Sequence, residues 1–422
     1  MTFDDFVKRL KGNKTLLNGG LFSIYSFFNE GIAFLLLILL ANYIAPAEYG
    51  QLSLFNTIVS FMGFLIALST QNFISVSYFK RGGKYLRQDF SSICFVCLAG
   101  TVFFCILFLI FCKWIAQQTN LPIRFIWIAL IVALFKIFQD MWINFHRLKE
   151  EVGVYGVISC SFAILNLILS LFLVIKTPLN WEGRVYAQLG CTLLFGLLGL
   201  IYFAHHKLFT INLLWPDVKM IIIWACPLIP HLASLWLKQG GDRLIINHFH
   251  SIEDVGIYSF ALNLTSIIIM IGNAFNNSNS VSIYQILAKN ATIEEKKSLL
   301  RKQTRNIAII TISAYICVLV GAWLFIPLLL PGYVESLPYF SILSIQGLGQ
   351  CFYFLFCNYL FYYSKNKQIM YVTFGTAVLH LGLSLLLTRY SLYYTCIIYV
   401  LTQALITGII YNLSKKALSE NL

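Results

Sequence analysis

Charged side chains are scarce in the long apolar runs of this chain, and those present are the residues with chemistry to offer. Glu30 follows Asn29 about 13 residues, roughly 20 Å of helix, into the first run. Lys136 stands about 12 residues, roughly 18 Å, into a later run. Asp140 follows it at i+4, on the same helical face. If the runs cross a bilayer, Glu30 and Lys136 both lie near mid-depth. A charge there costs about 2.5–3.5 kcal/mol on the insertion scale, so it turns towards a partner or an aqueous cavity. Lys136 and Asp140 could neutralise one another within their own helix. Glu30 has no charged neighbour on its helix, which favours a lumen shared by Asn29, Glu30, Lys136 and Asp140. Asn29 and Lys136 would contact a solute there. Glu30 and Asp140 would balance charge or bind a coupling ion, H+ or Na+.

A second group follows the midpoint of the chain. The segment Trp224-Ala-Cys-Pro-Leu-Ile-Pro-His231 leads to Leu237-Lys-Gln-Gly-Gly-Asp-Arg243. Pro227 and Pro230 each remove a backbone donor and clash with the preceding turn, so a kink or unwound turn is expected. Gly240 and Gly241 form a second weak point, and all four are hinge candidates. Lys238 and Arg243 would join the solute site and Asp242 the ion site; alternatively, all three snorkel at the interface with an Asp242–Arg243 pair. His231 is either a protonation site or a hydrogen-bonded structural histidine. The next run carries Asn263, Asn273, Asn276, Asn277 and Asn279. Amides donate and accept, which suits hydroxyl-rich ligands, and Asn263 and Asn276 are taken as solute contacts. Asparagines equally join helices inside a membrane bundle. Gln346, Gln350, His380 and Gln403 are read mainly as such interhelical contacts.

The elements that must position these residues follow from composition. Of 422 residues, 59% are hydrophobic and 11% charged, against about 25% charged in a soluble domain. Mean hydropathy is +0.77. Runs of roughly 20 apolar residues span a bilayer as helices, and the absence of strand alternation excludes a barrel. Twelve spans are expected, near 17–41, 51–77, 90–112, 124–145, 153–175, 184–204, 219–245, 256–282, 306–327, 338–363, 369–388 and 392–412. The fold class is therefore all-α and polytopic. Connections are too short for a soluble domain, and no phosphate-cradling GxxxxGK occurs. The chain alone is not an ATP-driven pump, and nothing in it reads as an enzyme or a cofactor site.

Charge orients the spans. The N-terminus, alternate loops and the C-terminus carry 22 lysines and arginines, and the opposite loops carry six. The positive-inside rule puts both termini in the cytoplasm, consistent with an even number of spans. The net charge of +13 thus reflects topology rather than nucleic-acid binding. No cleavable signal peptide is visible. Phe3, Phe6, Val7 and Leu10 fit either a short helix on the membrane surface or a loose tail. Most of the eleven cysteines sit in apolar runs and read as packing residues. Cys94 and Cys97 form a CxxC with no second pair, so no metal site is expected.

Two segments repeat at an offset of 206. Tyr43-Ile-Ala-Pro-Ala-Glu-Tyr-Gly50-Gln-Leu-Ser53 aligns Glu48, Gly50 and Ser53 with Asp254, Gly256 and Ser259 of Phe249-His-Ser-Ile-Glu-Asp-Val-Gly256-Ile-Tyr-Ser259. Each sits between the first two spans of its half. Parallel repeats of six spans follow, with a substrate site expected between them. The divisions are a segment 1–16, a bundle 17–204, a linker 205–218, a bundle 219–413 and a tail 414–422.

Leu40-Ala-Asn-Tyr-Ile-Ala-Pro-Ala-Glu-Tyr-Gly50-Gln-Leu-Ser resembles the first outer hairpin of the Wzx-type flippases of O-antigen and polysaccharide units. Asp242-Arg243-Leu-Ile-Ile, Glu253-Asp-Val-Gly256-Ile-Tyr-Ser and Leu330-Pro-Gly-Tyr-Val-Glu-Ser336 are similar to later junctions of that family. The resemblance implies a fold like the multidrug and toxin extrusion (MATE) transporters, with two six-helix bundles. It implies movement of an undecaprenyl-diphosphate-linked oligosaccharide to the periplasmic leaflet of the bacterial inner membrane, for O-antigen or lipopolysaccharide assembly. A polysaccharide polymerase and a chain-length regulator are the implied protein partners, besides membrane lipid. Family lumens tend to be cationic, whereas the charges here are mixed. An ion-coupled small-solute exporter shares the fold and is the main alternative. A polymerase or ligase would need a large outer loop, and a sugar symporter of the major facilitator type would need an acidic residue paired with Lys80-Arg-Gly-Gly-Lys84. Neither is present.

Overall fold

The computed structural model describes residues 14–82, 85–210, 212–289 and 292–421, and no strand occurs among them. The surface-helix reading of Phe3, Phe6, Val7 and Leu10 lies outside the described residues. The chain divides into two compact units. Unit 1 takes the residues up to Tyr43 together with Phe55–Ile229, and unit 2 takes Ile44–Leu54 and Pro230–Leu422. The division departs from the expected break at 205–218 in two segments, and both departures have a visible cause.

Unit 1 contains α1 (Lys14–Ala41), most of α2 (Pro46–Ala67), α3 (Phe73–Lys80), α4 (Leu86–Thr119), α5 (Ile123–Leu148), α6 (Val152–Lys176), α7 (Asn180–His205) and α8 (Trp215–Ala225). The second span, expected to be continuous over 51–77, breaks after Ala67. Leu68 and Ser69 adopt left-handed backbone angles, φ 47° and 61°, and a 3-10 turn follows at Thr70–Asn72. No proline or glycine marks that break. The segment α8 joins unit 1 because Val218, Ile221 and Ala225 are buried and Arg81 reaches its first turn. Arg81 Nη2 lies 2.9 Å from Asp217 Oδ1, and its Nη1 lies 2.6 Å from Oδ1 of fully buried Asp89. Ser77 also donates to Asp89. This clamp fastens α3, α4 and α8 at one membrane edge. Asp89→Ala strands the Arg81 and Ser77 donors. It is expected to cost about 1.5–3 kcal/mol, read as a lower unfolding midpoint of the purified protein in detergent.

Unit 2 contains α9 (Ile229–Gln239), α10 (Gly241–Phe249), α11 (Ile252–Ala288), α12 (Ile293–Leu329), α13 (Ser336–Tyr362), α14 (Asn366–Leu387) and α15 (Leu392–Asn421). Among the described residues, eleven helices are long and apolar enough to cross a membrane. The twelfth, expected near 219–245, is broken. It consists of α8, a 3-10 turn at Cys226–Leu228, α9 and α10, and no piece exceeds 11 residues. Pro227 falls in the turn, Pro230 opens α9, and Gly240 separates α9 from α10.

The repeated motif explains why 44–54 packs with unit 2. Asp254 accepts from the Ser251 backbone N–H, and Ser251 caps the Asp254 N–H, which completes a capping box at the start of α11. Glu48 does the equivalent work 206 residues earlier, accepting from the Ala45 N–H at 3.1 Å. Gly50 and Gly256 lie back to back. A methyl group on Gly50 would collide with the Ile252 carbonyl oxygen, and one on Gly256 with the Pro46 carbonyl oxygen. Ser53 donates to its repeat equivalent, Ser259, at 2.7 Å. Gly50 and Ser53 thus meet their own counterparts, Gly256 and Ser259. Tyr333 completes the corner, donating to the Ile44 carbonyl at 2.7 Å and packing on Tyr49 and Phe260. Burial raises the pKa of its phenol, which keeps it a donor. Gly256→Ala must push two backbones apart, so the monodisperse peak in size-exclusion chromatography should be lost. Gly63→Ala, with nothing within 4 Å of the added methyl, should leave it intact.

Candidate functional site

Unit 1 holds a cavity of about 280 Å³ lined by α1, α5, α6 and α7. Its lining follows helical spacing. Asn29, Ala33 and Leu36 come from α1; Lys136, Gln139, Asp140 and Ile143 from α5; and Tyr155, Ser159, Phe162 and Asn166 from α6. Each helix therefore turns one stripe inward, which is why residues distant in sequence converge. Asn29, Lys136 and Asp140 meet here, as the lumen reading requires. Among the described residues no ion pair joins Lys136 to Asp140, so the i+4 pair does not close on itself. Glu30 does not line the cavity. It is exposed, one residue and so about 100° around the helix from Asn29.

Arg184 is the cavity residue that sequence reasoning missed. It opens a span and was counted among the outer-loop charges. In α7 it is half-buried, and its Nη1 donates to Asn166 Oδ1 at 2.7 Å and to Ser170 Oγ at 3.1 Å. The signal available in the sequence was the i+4 pair Asn166 and Ser170 in the neighbouring apolar run. The cavity thus carries two cations, Lys136 and Arg184, against one carboxylate, Asp140. Two amide oxygens, Asn29 Oδ1 and Gln139 Oε1, are buried without a hydrogen-bond partner. Buried acceptors are almost always satisfied, so these two are suited to hydroxyl donors from a solute or water.

Unit 2 holds a second polar centre. Asp242, on α10, is fully buried and accepts from Tyr258 Oη at 2.9 Å, Ser384 Oγ at 3.0 Å and His380 Nε2 at 3.0 Å. Nδ1 of His380 lies 3.1 Å from Thr402 Oγ1. Three helices, α10, α11 and α14, meet at this carboxylate, and α15 joins through the Thr402–His380 contact. Lys238 is 7% exposed, one turn before Asp242. Arg243, the next residue, is half-buried and also reaches the repeat motif. Its Nε donates to Ser259 Oγ at 3.1 Å, within the repeat contact. His380, read as an interhelical contact, is one: from α14 it joins Asp242 on α10 to Thr402 on α15.

Asn263, Asn276 and Asn279 of α11 join helices, the last by accepting from Gln303 Nε2 at 2.9 Å. Asn263 Nδ2 donates to Tyr49 Oη at 2.6 Å, and Asn276 Oδ1 accepts from Asn358 Nδ2 at 2.8 Å. The side chain of His231 lies outside the described residues. Among the described residues no cluster of metal ligands occurs, and the cysteines, Cys94 and Cys97 included, are free thiols.

A family model described as polysaccharide biosynthesis protein matches residues 16–281. The chain is 24% identical over 392 residues to a protein of the Lsg locus of Haemophilus influenzae, covering 91% of this chain and 94% of that one. Its fold is similar to that of a multidrug resistance MATE family transporter of the MOP superfamily in an inward-facing conformation. The TM-score is 0.70 at 12% identity, over 94% of this chain and 95% of the other. A MATE structure in the bent conformation gives a TM-score of 0.63 at 12% identity over 98% of each chain.

Proposed function

Because the chain belongs to the polysaccharide biosynthesis protein family, we propose that it flips lipid-linked oligosaccharide repeat units from the cytoplasmic to the periplasmic leaflet of a bacterial inner membrane. The product would serve O-antigen, lipopolysaccharide or related surface-polysaccharide assembly, and would pass to a polymerase and its chain-length regulator. The observation that carries this reading is the cavity of unit 1. Lys136 and Arg184 attract an anionic head such as undecaprenyl diphosphate or an acidic sugar. The unpartnered oxygens of Asn29 and Gln139 accept from sugar hydroxyls. A volume of about 280 Å³ is at the lower edge of small-ligand sites, about 300 Å³. It suits one sugar or one phosphate at a time, with the lipid tail left in the bilayer.

Alternating access needs an energy source, and the Asp242 centre suits a coupling ion. A carboxylate surrounded by an imidazole and hydroxyl donors favours H+ over Na+, which prefers oxygen acceptors. Lys238 and Asp140 balance charge in their own units. The breaks at Pro227, Pro230, Gly240 and Gly241 adjoin the Asp242 centre in sequence and serve as hinges. Both termini are placed in the cytoplasm, the side that the bias of loop charges favours. The fold also suits an ion-coupled exporter of small solutes or drugs, but the family match and a cavity rich in amides and cations support the glycan. The experiment is complementation of a strain lacking its own repeat-unit flippase. Wild-type protein should restore surface polysaccharide, and failure to do so at normal protein levels would contradict the reading.

A further inference from the structure

The helix α12 has 37 residues, about 55 Å at 1.5 Å per residue. The hydrocarbon core takes only roughly 20 of them, so its first turns stand clear at one bilayer face. One side of those turns is fastened. Leu300 is buried among Ile283, Leu287, Leu355 and Tyr359. Gln303 Nε2 donates to Asn279 Oδ1 at 2.9 Å, and Lys296 Nζ to the Leu287 carbonyl at 2.9 Å.

The opposite side carries Lys297, Arg301, Lys302 and Arg305, all exposed, with Ser298 and Glu294 between them. These six line an open depression of about 520 Å³. Among the described residues none of the four cations takes part in an ion pair. The line Lys297–Arg301–Arg305 continues along the helix in steps of three and four residues into Ile309, Ile312, Ile316 and Val320, which are 57%, 41%, 50% and 51% exposed. A cationic ridge thus passes without a turn into an apolar strip that faces the acyl chains.

We propose that Lys297, Arg301, Lys302 and Arg305 form a docking ridge for the phosphate headgroups of anionic bilayer phospholipids, whose chains lie along Ile309 to Val320. Charge complementarity and continuity with the apolar strip identify the occupant. Guanidinium groups bind phosphate through two parallel hydrogen bonds, and juxtamembrane cations hold anionic lipid at the surface. The inference is independent of what the protein transports.

The test is native mass spectrometry of the full chain in detergent, titrated with phosphatidylglycerol and with phosphatidylcholine. Wild type should retain phosphatidylglycerol preferentially. K297Q/R301Q/K302Q/R305Q should lose at least about fivefold of that preference. K207Q/K219Q/K415Q/K416Q removes equal charge from exposed lysines elsewhere and should keep it. R301K/R305K should retain most of the preference, which separates lost charge from lost fold. An equal loss in both quadruple variants, or none in the first, overturns the proposal. So does displacement of the lipid by millimolar inorganic pyrophosphate, or selective retention of a polyprenyl diphosphate over phosphatidylglycerol.

Discussion

Asp242→Ala should reduce surface-polysaccharide complementation to the level of the empty vector. The carboxylate is fully buried and accepts from Tyr258, Ser384 and His380. Its removal leaves three donors without an acceptor, at about 1–3 kcal/mol for each. A loss of fold alone would produce the same phenotype, so Asp242→Asn and His380→Gln are the informative variants. Both preserve size and part of the hydrogen bonding, and both remove a proton-binding group. Each should give folded protein, judged by membrane abundance and a monodisperse chromatographic peak, with transport at background. Near-normal transport by Asp242→Asn would show that this centre only holds α10, α11, α14 and α15 together.

The second large effect is expected at the cavity of unit 1. Arg184→Ala removes a charge-assisted donor, worth about 1.5–3 kcal/mol. It should weaken substrate binding by roughly 10- to 100-fold. With Lys136→Ala added, no cation remains on the cavity wall, and complementation should be lost. Glu30→Gln is the contrast. Glu30 is exposed and absent from the lining, so transport should stay near wild type. A dose–response of polysaccharide recovery against expression level distinguishes the three variants.

The all-helical membrane architecture was legible because apolar runs of span length leave no other solution for the backbone. The repeat was legible from glycine, serine and an acidic residue, and its physical basis is now clear. The acidic residues cap helix starts, the glycines permit backbone contact, and the serines bond to each other. The break in the seventh span was legible because proline and glycine punctuate a helix in sequence. The break after Ala67 was not, since Leu68 and Ser69 carry no such mark and tertiary packing sets their angles. At the site, Lys136 was found by depth, Asp140 by its i+4 spacing from Lys136, and Asn29 by its place beside Glu30. Depth also selected Glu30, which this cavity's lining does not include, because depth does not fix azimuth around a helix whose partners are unknown. Arg184 was missed for the converse reason. An arginine at a span's end reads as interfacial until its partners, Asn166 and Ser170, are seen one helix away. His380 was legible as an interhelical contact, but its partner Asp242 was not, since no local pattern encodes a contact 138 residues away.

The most direct test of the central claim is flipping by the purified full chain in sealed liposomes. A polyprenyl-diphosphate oligosaccharide bearing a fluorophore on its sugar is placed in both leaflets, and an impermeant quencher is added outside. With wild-type protein, the label that began in the inner leaflet should also be quenched, and Lys136→Ala/Arg184→Ala protein should protect it. Quenching confined to the outer leaflet with active-looking, folded wild-type protein under an imposed proton gradient of either sign would contradict the account.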